Sequence, residues 1–320
     1  MTEPRLSVVV VSPEGGEGVR RLMDRLAAQT IARDIEVLVA VPPGAPADAA
    51  PEWAGRFHAV RFVTAEIATS ATARVPAIRA ARAPYVALAE DHCFPVRDDW
   101  AGLLVAGLEQ GHAAVGPVVG NANPGTVTSW AVMASEYSPW FHAPAPREAE
   151  HLAGHNTAYE RDTLLAYGER LLPLLEAEYV LHRDLRARGR TLLLDPRVRV
   201  EHLNYSFPRR ALKLAFLSSW MFAASRSREW SPWRRALYAA ASPAIGPRRL
   251  PTVLRQSWRA PQHRRDILRA SPMLAAILFV GGLGEGIGYA FGDLGRRSSL
   301  ARLEYHRWRN MKPGEVALAR

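Results

Sequence analysis

APYVALAEDHCFPVRDDW, residues 83–100, runs a short apolar stretch straight into a group of side chains with ligating atoms. Tyr85 to Ala89 reads as a buried strand, and Glu90, Asp91, His92 and Cys93 follow before Pro95 stops it. Ligands of open α/β sheets collect at the carboxyl ends of the strands, where two carboxylates beside an imidazole suit a divalent cation and the diphosphate it neutralises. Read without context, the same residues also suit a polar loop with Asp91 closing an Asx turn.

The residues before this stretch set up a parallel sheet. Leu6 to Val11 is a run of β-formers that ends at Ser12, Pro13 and Glu14, with Gly15 and Gly16 behind. Val19, Leu22, Met23, Leu26 and Ala27 then fall on one helical face, and Ile35 to Val41 forms a second buried strand closed by Pro42, Pro43 and Gly44. A strand, helix and strand with short connections favour parallel pairing. The Ala- and Pro-rich residues 46–53 read as loop, Ala59 to Val63 as a third strand and Ala71 to Ala81 as a helix with Pro76 in its first turn.

Beyond residue 100 the pattern continues with a helix over Asp98–Leu108, a strand over Ala113–Val119 and a loop over Gly120–Gly125. The aromatic residues between Val127 and Ala145 have no firm period and suit either a pocket or plain core. GHNTAYERDTLLAYG, from Gly154, opens with His155 and Asn156 and continues as strand and helix. EAEYVLHRDLRARG, from Glu176, gives a second helix with Gly189 as its C-cap, and Thr191–Leu194 and Val198–Val200 read as two strands, the second leading to His202.

Composition bounds the rest. The 320 residues, 48% hydrophobic, suffice for one large or two moderate domains. Charge is uneven: residues 1–207 carry a net −5 and residues 208–320 a net +15, nearly all the basic side chains being Arg. A basic second region faces an anionic partner, and a membrane surface suits it better than nucleic acid, for which no recognised module is present. Cys93 is the sole cysteine, which excludes an intrachain disulfide and a CxxC zinc site; it reads as packing rather than nucleophile. That fits a reducing cytosol, and the N-terminal apolar run is too short for a secretory signal, so the site is expected to face the cytoplasm.

The tail is apolar and basic by turns. Ala211 to Ala224 is apolar nearly all round, and Arg226, Arg228, Trp230, Trp233, Arg234 and Arg235 follow it, a mixture that suits a bilayer interface. Met273 to Phe291 approaches the length of a membrane span, but Glu285 in its middle costs about 2.5–3.5 kcal/mol at a bilayer centre. Its five glycines weaken it further as an isolated helix. Basic residues flank it on both sides, Arg264, Arg265 and Arg269 before and Arg296 and Arg297 after, so no orientation follows. A surface-lying or re-entrant helix, or a glycine-lined contact in a homo-oligomer, is expected ahead of a true span; a soluble helical subdomain is the alternative.

Taken in order, strand–SP, EVLVAV, ARVPAIRAARAPYVALAEDH, GHNTAYERDTLL, EAEYVLHRDLRARG and VRVEH resemble family 2 glycosyltransferases of the GT-A fold over roughly residues 6–206. The resemblance implies an α/β fold with a mixed, mostly parallel sheet flanked by helices, spanning residues 1–207, and the change in charge and apolar pattern beyond it marks a separate helical region over 208–320. The resemblance also implies inverting, metal-dependent transfer of one sugar from a nucleotide-diphosphate sugar, with Mn or Mg, to a hydroxyl acceptor; the basic apolar tail alone suggests that this acceptor is lipid-linked or a cell-envelope glycan and that transfer occurs at the cytoplasmic membrane face. Glu90, Asp91 and His92 match the family's Asp-x-Asp-type motif, and His202 matches a histidine that completes the metal site, so Asp91, His92 and His202 are the expected metal ligands. Ser12, Pro13, Glu14, Val41, Arg74, Glu90 and Asp91 fall at donor-binding positions.

Glu178 falls on the catalytic base, with Glu176 its nearest competitor, and His155, Asn156 and Glu176 lie on the acceptor side. Inverting transfer needs such a carboxylate to take the acceptor's proton and a cation to absorb charge on the departing diphosphate. Without the resemblance, Glu178 reads equally as an acid at a helix N-terminus and His202 as a strand-end histidine. The chain departs from the family at Val41-Pro42-Pro43, where relatives place an Asp that recognises the nucleobase, and at Val75 and Ala77 beside Arg74. It also lacks the Gln-x-x-Arg-Trp signature of processive synthases, hence transfer of a single sugar. A degenerate fold that binds nucleotide or membrane without chemistry is the alternative function.

Overall fold

The computed structural model describes residues 3–15, 17–45, 53, 55–295, 299, 300, 303 and 307–316. Gly16, most of the 46–53 loop and the flanking Arg296 and Arg297 lie outside these residues. The chain divides into two compact units: residues up to Gly120 together with Ala143–His202, and Asn121–His142 together with residues from Leu203 onward.

In chain order the elements are β1 (Leu6–Val11), α1 (Arg20–Ala27), β2 (Ile35–Val41), β3 (Ala59–Thr64), α2 (Ser70–Ala80), β4 (Tyr85–Glu90), β5 (Cys93–Pro95), α3 (Trp100–Glu109) and β6 (Ala114–Asn121). After α4 (Val127–Tyr137) come β7 (Arg147–Glu148), β8 (Thr157–Glu160), α5 (Arg161–Leu165), α6 (Leu171–Leu175), α7 (Glu178–Ala187) and β9 (Leu192–His202). The C-terminal helices are α8 (Pro208–Arg226), α9 (Pro232–Ala241), α10 (Ile245–Ser257) and α11 (Arg264–Phe291).

The first unit is α/β, built on a mixed sheet flanked by helices. Its strands run in the order β3-β2-β1-β4-β5-β9-β6-β8, with β7 on β9. Pairing is parallel across β3-β2-β1-β4 and antiparallel at β4–β5, β4–β8, β5–β9, β6–β8 and β7–β9. Every residue of β1 and β2 is buried, as unbroken apolar runs require when helices cover both sheet faces. The register sets Val11 beside both Ala40 and Glu90, so the ends of β1, β2 and β4 coincide.

Two local expectations are corrected. Pro76 sits in the interior of α2, not its first turn, because the helix begins at Ser70, where Thr69 and Thr72 form a reciprocal capping box. The two strands expected around Asp195 and Pro196 are one continuous β9; Asp195 turns its buried carboxylate onto the Arg197 N–H at 2.9 Å and its guanidinium at 2.6 Å. That pairing satisfies the backbone where proline donates no hydrogen bond.

A buried glutamate clamps the sheet. Glu36 Oε2 accepts from Ser7 Oγ at 2.7 Å and from the Arg82 N–H at 2.9 Å, while the Ala83 N–H donates to Ser7 Oγ at 3.2 Å. Arg61 of β3 pairs with Glu36 Oε1 at 2.8 Å and also donates to the Ala80 carbonyl at the end of α2. β1, β2, β3 and the connection that feeds β4 therefore share one charged network.

The second unit is helical, and α11 is its axis. A Cβ at Gly284 or Gly288 would meet the Phe216 or Trp220 carbonyl of α8 at 2.2 or 2.4 Å. One at Gly282 would meet the Ser242 carbonyl at 2.8 Å, and one at Gly246 would meet the α11 backbone at 2.8 Å. The glycine face weighed as a contact between copies is thus covered by the same chain. α11 is long and apolar enough to cross a membrane, yet 44% of its most apolar window is buried within the protein. Glu285 is buried with it: Tyr289 Oη donates to its carboxylate at 3.1 Å and Arg249 lies 3.6 Å away.

Glu36→Ala is expected to lower stability by about 3 kcal/mol or more, because it strands Arg61 and the buried donors facing it. Glu36→Gln should cost less, and urea unfolding midpoints of the two variants provide the comparison.

Candidate active site

The site forms where β4 ends. Glu90 is its last residue, and its side chain remains a quarter exposed. The chain reverses there into β5, which pairs Cys93 with His202, the last residue of β9, so the register alone brings His202 to Glu90. His155 arrives on the approach to β8. The Asn156 N–H donates to the Leu88 carbonyl at 2.5 Å, which fixes this segment beside β4. Asn156 itself is fully buried at φ 53°, a left-handed conformation that asparagine tolerates better than most residues. Its side-chain amide has no hydrogen-bond partner among the described residues.

Glu90, His155 and His202 each present a ligating atom, all within 4.8 Å of one another. The His155 and His202 rings are stacked at 5.2 Å, and His92 meets His202 edge-on at 5.0 Å. One carboxylate and two imidazoles make a donor set that fits a divalent transition ion, and manganese accepts it more readily than magnesium, which prefers oxygen. Asp91 stands apart from this trio. Its carboxylate engages His92 Nδ1 at 2.6 Å, while His92 Nε2 lies 3.2 Å from Glu90 Oε2. Asp91 therefore orients His92 toward Glu90, and of the expected ligands Asp91, His92 and His202 the trio contains His202.

Arg74 connects this cluster to a second acid. Its side chain, 3% exposed, reaches from α2 to Glu90 Oε1 at 3.5 Å and Glu178 Oε1 at 3.3 Å. Glu178 opens α7, and its carboxylate lies against Gly154, where an added Cβ would sit 2.5 Å from it. The two acids are tuned in opposite directions. Burial works to raise the Glu90 pKa, but His155, His92 and Arg74 together hold it well below the usual carboxylate range. Burial raises Glu178, with Arg74 opposing and the charge of Glu90 adding to the rise.

The remaining expected residues are placed as follows. Ser12, Pro13 and Glu14 follow β1 and so lie at the same end of the sheet as Glu90; Ser12 Oγ is spent on the Gly15 carbonyl at 2.7 Å. Val41 ends β2, 1% exposed, with no polar group to offer a base. Glu176 caps α6, and Glu178 carries an ion pair to Arg74. Two residues passed unnoticed in the sequence. Tyr159 and His182 are fully buried with Oη and Nε2 2.8 Å apart. Burial depresses the His182 pKa to about 3, so it stays neutral and its Nδ1 can accept from the Leu152 N–H at 3.4 Å. Its position four residues after Glu178, on the same helical face, was the available signal.

No protein-family model matches the chain, and no curated protein matches it. Among solved structures, the chain is similar to GalNAc-T7, solved with UDP, GalNAc and Mn2+, at 17% identity and a TM-score of 0.44, covering 63% of this chain and 44% of that one. It therefore spans less than half the length of that structure. It is also similar to the mannosyltransferase PcManGT from Pyrobaculum calidifontis, in complex with GDP-Man and Mn2+, at 16% identity and a TM-score of 0.47, covering 100% and 85% of the two chains. A third likeness is to S. aureus TarS residues 1–349 in complex with UDP, at 13% identity and a TM-score of 0.45, covering 87% and 90%.

Proposed function

We propose that the chain is a GT-A glycosyltransferase that moves one sugar from a nucleoside-diphosphate sugar to a hydroxyl acceptor with inversion, at the cytoplasmic face of a membrane. The observation that carries this reading is the pair Glu90 and Glu178, bridged by Arg74 and pushed apart in pKa. Carboxyls whose environments diverge in this way take different chemical roles. Glu90, with His155 and His202, would hold a divalent cation, which when bound supplies positive charge to the leaving diphosphate. Arg74 adds a fixed cation beside it. Glu178, made more basic by burial, takes the acceptor's proton, and Asn156 offers its unpaired amide to a bound sugar or acceptor.

Membrane location is supported by the net +15 of residues 208–320 and by Phe222, Trp233 and Leu237, each exposed on that basic surface. Glu178→Gln should lower turnover by about 10² or more while donor binding survives, read as nucleoside diphosphate released from a panel of sugar nucleotides with Mn2+. Glu176→Gln should cost less. Donor binding without release by the unaltered chain would favour a binding protein over an enzyme.

Gly154→Ala places a methyl group where the Glu178 carboxylate now lies. It should reduce kcat about as severely as losing the base, with little change in thermal stability. A normal kcat for this variant would move the base elsewhere.

Glu178 must be ionised to act, so turnover falls as pH drops through its pKa, which lies above the ordinary glutamate value. Arg74 favours the ionised form, so Arg74→Met should move this acidic limb to higher pH. A pH–rate profile of the variant reads the shift directly.

A further inference from the structure

A cleft of about 470 Å³ opens in the helical unit where α10 turns into α11, lined by Leu254, Arg255, Trp258, Arg259 and Arg264. Arg255 and Arg259 are one turn apart, and Arg264 begins α11. Arg264 Nε donates to the Trp258 carbonyl at 2.9 Å, and its guanidinium lies 5.7 Å from the indole ring. No acid pairs with these three arginines among the described residues. Three guanidiniums on one cleft call for an anion with several oxygens, and their planar forks match phosphate. Leu254 and the 42% exposed Trp258 give the same cleft apolar walls, so the phosphate it suits carries an apolar body.

α11 continues this chemistry. At 100° per residue, Leu268, Pro272, Ala275, Phe279 and Leu283 fall within about 100° of Arg264, on one face. Leu268 is 62% exposed, Phe279 47% and Leu283 40%, and the acids of α11 lie off this face: Asp266 falls about 200° around the helix from Arg264 and Glu285 is buried. Gly281, Gly284 and Gly288 are covered by α8, and Gly282 and Gly286, along one edge of the stripe, by Ser242. The stripe from Arg264 to Leu283 is about 28 Å long, charged at one end and apolar along the rest.

We propose that this cleft seats the phosphate of an anionic phospholipid headgroup while the α11 stripe lies in the upper acyl layer, so that α11 rests along the bilayer surface. The charge of the region, +15 over residues 208–320, complements such a surface. The inference rests on the membrane location proposed above and assigns it a face and a headgroup site.

The test is sedimentation of the full chain with phosphatidylcholine vesicles with and without phosphatidylglycerol, alongside calorimetric titration with inorganic phosphate. Arg255→Glu combined with Arg259→Glu should weaken binding to phosphatidylglycerol vesicles about tenfold or more, and Phe279→Asp should weaken it similarly. Arg209→Glu combined with Arg210→Glu makes the same change in net charge outside the cleft and should weaken it far less. Equal losses from the two arginine pairs, with thermal melting unchanged, would reduce the attraction to diffuse charge and overturn the headgroup site. Saturable phosphate binding by a chain that ignores vesicles would assign the cleft to a soluble phosphate compound and overturn it as well. A chain that neither sediments with any vesicle nor binds phosphate would overturn the membrane reading itself.

Discussion

One buried cation holds the candidate site together. Arg74 has almost no contact with solvent, and a guanidinium so placed is tolerable only where carboxylates meet it. Those carboxylates come from two distant parts of the chain, the end of β4 and the start of α7, so the same ion pairs that satisfy the arginine also fix the two acids relative to each other. The arrangement is electrostatically asymmetric. Glu90 shares its surroundings with three imidazoles and the arginine, whereas Glu178 has the arginine alone and feels Glu90 as a repelling neighbour. The difference in basicity therefore follows from which strand or helix end each acid occupies.

That dependence makes the geometry of α2 more consequential than its sequence suggests. Its start is fixed by the Thr69–Thr72 capping box, and Arg74 follows within the first turns. A Pro at position 76 looked like a first-turn residue because that is where proline costs least. The capping box wins instead, since it satisfies two backbone groups reciprocally, and the helix accepts an interior proline. Beginning the helix at Ser70 puts Arg74 among the buried residues of α2.

β1 and β2 were legible because both their faces are covered, which leaves a nearly continuous apolar run with turn residues at its end. β9 was not, because Asp195 and Pro196 look like a break until Arg197 is seen to occupy the aspartate. Glu36 was passed over for a related reason: inside IEVLVAV a lone acid reads as a tolerated exception. Its partners Ser7, Arg61 and Arg82 come from three other segments, and nothing local announces them. At the site, Glu90, Arg74, Glu178 and His202 could be marked from motif order, and Glu90, Glu178 and His202 each end or open an element. Placing His155 beside Glu90 required the β4–β8 pairing, which is antiparallel and long-range.

α11 poses the sharpest conflict between local preference and observed structure. Five glycines and an interior Pro272 argue against a helix of 28 residues, each glycine costing about 1 kcal/mol relative to alanine in an isolated helix. Helices in proteins are stabilised chiefly by what they pack against, and here the lack of side chains is what permits the packing. At Gly284 and Gly288 the α8 carbonyls approach so closely that no Cβ fits, and at Gly246 the reciprocal contact brings another backbone onto α11. Dispersion over such close approach offsets the propensity cost. The same packing bears on where the remaining apolar side chains go: with α8 covering Gly281, Gly284 and Gly288 and Ser242 covering Gly282 and Gly286, Leu268, Phe279 and Leu283 are left exposed. The glycines that make α11 a poor isolated helix are therefore what lets α8 and Ser242 close on two of its sides.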